Sequence, residues 1–134
     1  MENSVIQVPE AYSRILQDSD VLGFGQSCDR KTGFLLKGLA ASKPGGSFLE
    51  LGTGTGASAS WIIDGMDESS KLTTVDIDST VQSIAKKTSG MTAELHFAVR
   101  TEQLLFKTCR KGSILFLQIR GQGNSSFWTK PWII

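Results

Sequence analysis

Phe48-Leu49-Glu50-Leu51-Gly52-Thr53-Gly54-Thr55-Gly56-Ala57-Ser58 is the stretch on which the reading of this chain turns. Residues 47–51 read as a short apolar strand, followed by a glycine turn and a helix running to about Gly65. Glycines at alternate positions let the backbone bend sharply and bring its N–H groups close to a ligand. The helix start adds free donors and a partial positive charge. The spacing fits two ligand classes. Gly52, Gly54 and Ala57 satisfy the dinucleotide pattern G-x-G-x-x-A, whereas Gly52, Gly54 and Gly56, with Glu50 two residues ahead, satisfy E-x-G-x-G-x-G. An acid at the strand end repels a pyrophosphate and welcomes an ammonium or sulfonium group. The plainer reading is a glycine turn that only packs a strand on a helix.

Lys71 to Asp76 reads as a second strand ending in an acid, followed by Ile77, Asp78 and a helix from about Ser79 to Thr88. An acid at the end of the second strand, roughly 20 residues beyond the glycines, is where a ribose diol is held in nucleoside-binding βαβ units. Asp76 is therefore the expected ribose ligand, while Asp78 or Ser79 caps the following helix. S-adenosylmethionine carries the ammonium, the sulfonium and the ribose that Glu50 and Asp76 would favour.

With FLELGTGTGAS, TTVDID and an approach containing GFGQSCDRKTGFLLKGLA, the chain resembles the class I S-adenosylmethionine-dependent methyltransferases. Over residues 9–104 it is most similar to their small O-methyltransferases of the catechol and caffeoyl-CoA kind. The resemblance implies an α/β fold with a Rossmann-like parallel sheet and flanking helices, of which this chain carries the N-terminal part, about four strands. It further implies Glu50, Gly52, Thr53, Gly54, Gly56 and Ser58 around the methionine part. Asp76 and Ile77 fall at the nucleoside, and Thr32 and Gly33 near the cofactor carboxylate. Three segments follow: a helical approach over 1–46, a cofactor-binding core over 47–105, and an atypical basic tail over 106–134 with one strand.

Composition excludes little. At 134 residues there is room for one domain, and a net charge of +1 gives no global argument for nucleic acid or membrane partners. Cys28 and Cys109, far apart and outside CxxC spacing, point to neither zinc nor a disulfide framework. No run approaches membrane-spanning length and no signal pattern opens the chain, so a cytoplasmic protein is expected. In the approach, Tyr12, Ile15, Leu16 and Val21 give one helix a buried side, and Phe34, Leu35, Leu39 and Ala40 another. Trp61, Ile62 and Ile63 read as packing. Residues 91–98 suggest a third strand, whose His96, the only histidine, is expected at an exposed strand position.

The family carries an acid near the adenine after its third strand, where this chain has Ala98-Val99-Arg100. All thirteen acidic residues precede position 106, while Lys107, Arg110, Lys111, Arg120 and Lys130 follow it, together with Trp128 and Trp132. Read one base out of register, codons 112–134 can encode a buried strand ending in an acid, then a loop and an amphipathic helix, as the family has at strand four. A truncated, frame-shifted tail is therefore expected. In the frame as written, Gln118 stands where metal-dependent members place a carboxylate, so no metal is expected. Residues 112–119 can still form a strand beside the first. The expected partner is a small hydroxylated methyl acceptor, and self-association is expected through apolar surface left uncovered. The alternatives are an inactive binding fragment and a nicotinamide-dependent oxidoreductase.

Overall fold

The computed structural model describes residues 7–25, 27–88, 94–99 and 114–118, the last two stretches through their backbone pairing. In chain order the elements are α1 (Glu10–Leu22), α2 (Arg30–Ala41), β1 (Ser47–Leu51), α3 (Ala57–Gly65), β2 (Lys71–Asp76), α4 (Ser79–Thr88), β3 (Glu94–Val99) and β4 (Ile114–Gln118). The strands form one sheet in the order β3-β2-β1-β4. All three pairings are parallel, with Ser47 opposite both Lys71 and Ile114. The fold is thus the expected Rossmann-like α/β arrangement of four strands. The sheet grows outward from β1 in both directions, which makes the carboxyl end of β1 the switch point where ligands of such sheets bind.

β1 is buried at Phe48, Leu49 and Glu50 in succession, as befits a parallel strand covered on both faces. β2 supplies β-branched Thr73, Thr74 and Val75 to the same layer. Helix starts follow local chemistry. Pro9 precedes α1, and the Asp29 carboxylate caps α2 by accepting from the Lys31 and Thr32 N–H groups. Asp78 caps α4 by accepting from Thr80 N–H at 2.8 Å. α1 ends where Gly23 takes the left-handed conformation at φ 72°.

Tyr12, Ile15 and Ala40 are buried and Leu16 packs on the core as expected, but other positions on the faces of α1 and α2 differ. Val21 is 91% exposed, and Ser19 is buried in its place. The Ser19 hydroxyl sits between the Ile15 carbonyl and the Thr55 hydroxyl, so a polar residue is held inside by hydrogen bonds. On α2 the buried residues are Gly33, Leu36 and Ala40, whereas Phe34 and Leu35 are 52% and 60% exposed and Leu39 is exposed as well. α2 meets α3 through its smallest residues. A Cβ on Gly33 would lie 2.3 Å from Nε1 of the fully buried Trp61, and one on Gly65 would lie 2.2 Å from the Lys37 carbonyl oxygen. Pattern reading gives glycine no apolar weight and so chose the wrong side.

Trp61 is the centre of this packing, edge-on to Tyr12 with ring centroids 5.3 Å apart. The Tyr12 hydroxyl donates to the Cys28 carbonyl at 2.7 Å, which ties α1 to the chain entering α2. One core cluster runs from Tyr12, Ile15, Leu36 and Ala40 of the approach helices to Phe48, Trp61 and Leu72. β4, from the basic segment, joins the sheet beside β1. The side chain of His96, residues 91–93, the stretch 100–113 and the tail from 119, with Trp128 and Trp132, lie outside the described residues, as does the shifted-frame expectation. Among the described residues no helix is long and apolar enough to cross a membrane.

Gly33→Ala is expected to destabilise the fold by about 1–3 kcal/mol, the usual cost of overpacking a well-filled contact, because the buried Trp61 ring has nowhere to retreat. Denaturant titration compared with Gly38→Ala, where nothing lies within 4 Å of an added Cβ, checks this; equal stability of the two variants would refute it.

Candidate functional site

The glycine loop leaves β1 with Gly52, Gly54 and Gly56 at φ 94°, 52° and 92°, a region that side chains rarely occupy. Its path is pinned to β2. The Gly52 and Thr53 N–H groups both donate to the Val75 carbonyl, at 2.8 and 3.1 Å. The Gly54 N–H donates to Asp76 Oδ2 at 2.6 Å, while Asp76 Oδ1 accepts from the Asp78 N–H at 2.9 Å. The end of β2 therefore shapes the loop and presents a carboxylate beside it.

Between these ends lies a hollow of about 240 Å³. Gly52, Thr53, Gly54, Thr55, Ala57 and Ser58 form its floor, and Asp76, Asp78 and Val81 one wall. Phe24, Ser27 and Cys28, which precede α2, form the other. Among the described residues two carboxylates line it and no basic residue does. A cationic ligand would gain from both carboxylates. The Ser27 hydroxyl is buried without a partner and lies in this wall, an unspent donor and acceptor. Burial, with Asp29 and Glu50 nearby, pushes the Cys28 thiol up to about 11, so it stays protonated and is no nucleophile at neutral pH.

Of the residues expected at the site, Gly52, Thr53, Gly54, Ser58 and Asp76 line the hollow together. The others stand elsewhere. Thr32 donates its hydroxyl to Asp29 Oδ2 at 2.8 Å within the helix cap, and Gly33 is pressed on Trp61. The segment just before the helix, Ser27 and Cys28, lines the hollow instead. Gly56 serves packing, since a Cβ there would fall 2.8 Å from that of Ala85 on α4. Ile77 is 78% exposed and not part of the lining. Phe24, Ser27, Cys28 and Val81 were missed. For Phe24, Ser27 and Cys28 the only sequence signal was the short loop between two helices, which carries no spacing rule, and Val81 reads as an ordinary apolar position of α4.

Glu50 is the main correction. Its carboxylate does not face the hollow but is fully buried behind it, accepting from the Ser58 hydroxyl and, at 2.6 Å, from the Thr74 hydroxyl. Ser58, which it holds, is the residue that lines the hollow. Burial pushes the Glu50 pKa up to about 7, against which the bonds from Ser58 and Thr74 pull down, while Asp76 adds to the rise.

Among the described residues no group of three His, Cys, Asp or Glu side chains converges as a metal site. Gln118 stands opposite Leu51 at the carboxyl end of β4, so that register position offers an amide and no carboxylate. The donor set suits a hard cation poorly.

Because the folded-state pKa of Glu50 lies above its ordinary value of 4.5, its proton stabilises the fold. That contribution is complete below pH 4.5 and disappears as pH rises through about 7, a loss of about 3 kcal/mol for such a shift. Glu50→Gln, which cannot ionise, is expected to gain about that much relative to the parent chain between about pH 4.5 and 7.5. Urea titrations of both at the two pH values measure it; a stability difference that does not change with pH would refute it.

No family model matches the chain. A 55-residue segment is 42% identical to the "Putative O-methyltransferase" of Mycolicibacterium smegmatis, covering 41% of this chain and 26% of that protein. A protein of the same name from Mycobacterium sp. strain KMS matches at 42%, over 41% and 25%. Among solved structures, the O-methyltransferase from Bacillus cereus in complex with SAH superposes with a TM-score of 0.72 at 15% identity, over 86% of this chain and 57% of that one. The O-methyltransferase TomG from Streptomyces achromogenes, in complex with SAM, gives 0.69 at 20%, over 84% and 55%. The matched segment thus spans about a quarter of the curated relatives. The aligned fold spans little more than half of the solved structures. In the order and direction of its strands, and over that segment in its sequence, the chain resembles the class I S-adenosylmethionine-dependent O-methyltransferases.

Proposed function

We propose that this chain is the cofactor-binding half of an S-adenosylmethionine-dependent O-methyltransferase acting in the cytoplasm on a hydroxyl of a small molecule. The observation that carries the reading is the meeting of two strand ends. The glycine loop after β1 and Asp76 at the end of β2 close on one hollow whose charged side chains, among the described residues, are all acidic. Each Asp76 oxygen takes one N–H from the protein and keeps a lone pair for a ribose hydroxyl. The methionine end then lies toward Ser58 and Ser27. The N–H groups of the first turn of α3 and the Ser27 hydroxyl offer donors to its carboxylate, and the acidic wall suits its ammonium and sulfonium. The neighbours' SAM and SAH complexes support the same cofactor.

When bound, the cofactor supplies an electrophilic methyl group on sulfur. An acceptor oxygen would take that methyl, with the bonding pair left on sulfur and the acceptor's proton lost to a base. The described part of this chain would hold and align the donor, one half of the orientation such a displacement needs. The reading that the chain binds without turning over rests on a separate observation, the amide of Gln118 where a strand-four carboxylate is expected. The superposed O-methyltransferases, in complex with SAH and with SAM, favour the S-adenosylmethionine reading over a nicotinamide-dependent oxidoreductase.

Calorimetric titration with S-adenosylhomocysteine is expected to give heat, and titration with NAD none; the reverse would overturn the reading. Asp76→Asn should weaken S-adenosylhomocysteine binding about tenfold or more, the loss of a hydrogen bond to a charged group, with the far-ultraviolet circular dichroism unchanged. Transfer of labelled methyl to catechol-like acceptors by the 134-residue chain is expected to be at background. Sustained turnover would refute the non-catalytic reading and leave the cofactor assignment standing.

A further inference from the structure

Behind the floor of the hollow runs a line of buried polar side chains drawn from five parts of the fold. Gln82 Nε2 on α4 reaches Thr53 Oγ1 at 3.3 Å, Thr53 Oγ1 meets Thr74 Oγ1 at 2.7 Å, and Thr74 Oγ1 donates to Glu50 Oε2 at 2.6 Å. On the other side, Ser58 Oγ donates to Glu50 Oε1. Glu50, Thr74 and Gln82 are fully buried, and no solvent enters the line from behind.

Counting protons fixes the direction of every bond. A hydroxyl has one hydrogen. With Glu50 ionised, Thr74 gives its hydrogen to the carboxylate and must therefore accept from Thr53. Thr53 has then spent its own hydrogen and accepts from Gln82. Ser58 has spent its hydrogen too. Of the four hydroxyl residues that line the hollow, Ser27, Thr53, Thr55 and Ser58, the two on this line, Thr53 and Ser58, consequently offer a ligand lone pairs and nothing else. A proton on Glu50 reverses one arm. Placed on Oε1, it is donated to Ser58 and frees the Ser58 hydrogen. Placed on Oε2, it is donated to Thr74, which turns its hydrogen to Thr53 and frees that one. One proton taken up behind the floor releases one donor in front of it.

We propose that Glu50 is the positioning residue that sets whether the Thr53 and Ser58 hydroxyls meet the ligand as acceptors or as a donor, and so decides how the site discriminates between an ammonium and a carboxylate. The inference rests on the cofactor reading above, in which the amino-acid end of the ligand lies at Ser58. Ionised Glu50 favours an ammonium there; protonated Glu50 admits a carboxylate. Among the described residues, the other titratable groups facing it are Asp76 on β2 and the Cys28 thiol ahead of α2. α3 and α4 present it only the neutral Ser58 and, through Thr53 and Thr74, Gln82. β4 stands beside it in register at Leu117.

The test uses S-adenosylhomocysteine and two adenosine thioethers that keep one charged end each, an aminopropyl and a carboxypropyl. Lys-like and Glu-like groups of this kind hold their charge between about pH 5.5 and 8.5. Over that range, the parent chain's preference for the aminopropyl over the carboxypropyl compound is expected to rise about tenfold or more, the worth of a hydrogen bond to an ion. In Glu50→Gln, and in the double variant Thr53→Val, Ser58→Ala, the preference should not move with pH. A constant preference in the parent chain, or the same shift in either variant, overturns the proposal while S-adenosylhomocysteine binding still upholds the cofactor reading. Carbon-13 shifts of the free protein give a readout that needs no ligand. The Ser58 or Thr53 Cβ should titrate with the midpoint of the Glu50 carboxyl, and a Glu50 titration that moves neither overturns the proposal even if no nucleoside binds.

Discussion

A carboxyl group with no access to water, held by hydroxyls from two different elements, is the constraint around which this structure is arranged. Glu50 sits on the central strand, Ser58 on the helix after the glycine loop and Thr74 on the neighbouring strand. Removing such a group from water costs several kcal/mol unless its lone pairs are filled, so the donors must come to it. Bringing them there fixes the distance between β1 and β2, the first turn of α3 and, through Thr53 and Gln82, the seat of α4. The hollow is the space left in front of that arrangement. Its floor is as rigid as the network behind it.

The loop geometry follows from a second requirement, close approach. Gly52 and Gly54 are needed for their positive φ, and Gly56 for the Ala85 side chain of α4 that lies where its own Cβ would be. The same device recurs at a distance from the hollow, where Gly33 and Gly65 let α2 and α3 touch around Trp61. Packing of this kind carries consequences for function. It sets the entry of α2, and with it the position of Ser27 and Cys28, which form the wall facing Asp76.

Much of the fold was legible from the letters, and for a plain reason. Strands of a parallel sheet buried on both faces are continuous apolar runs, and both Ser47–Leu51 and Lys71–Asp76 stop at the residues where the pattern breaks. The helix after each strand begins at its glycine turn or its aspartate cap. β4 was legible as an apolar run too, and took its place beside β1. The faces of α1 and α2 were legible only in part. Ser19 is inside because Ile15 and Thr55 satisfy its hydroxyl, and Phe34 and Leu35 are outside because glycine made the closer contact.

By itself the sequence determined that a glycine turn follows a strand carrying an acid and that a second strand ends in another acid. Local spacing carries that information because turn geometry and strand length are properties of neighbouring residues. Which acid faces the hollow was decided only by tertiary structure. Asp76 is left partly open at the end of its strand, whereas the pleat of β1 turns Glu50 inward against Ser58 and Thr74. The direction of a side chain in a covered sheet depends on what covers it, and residues 8 and 24 positions away along the chain supply that cover here.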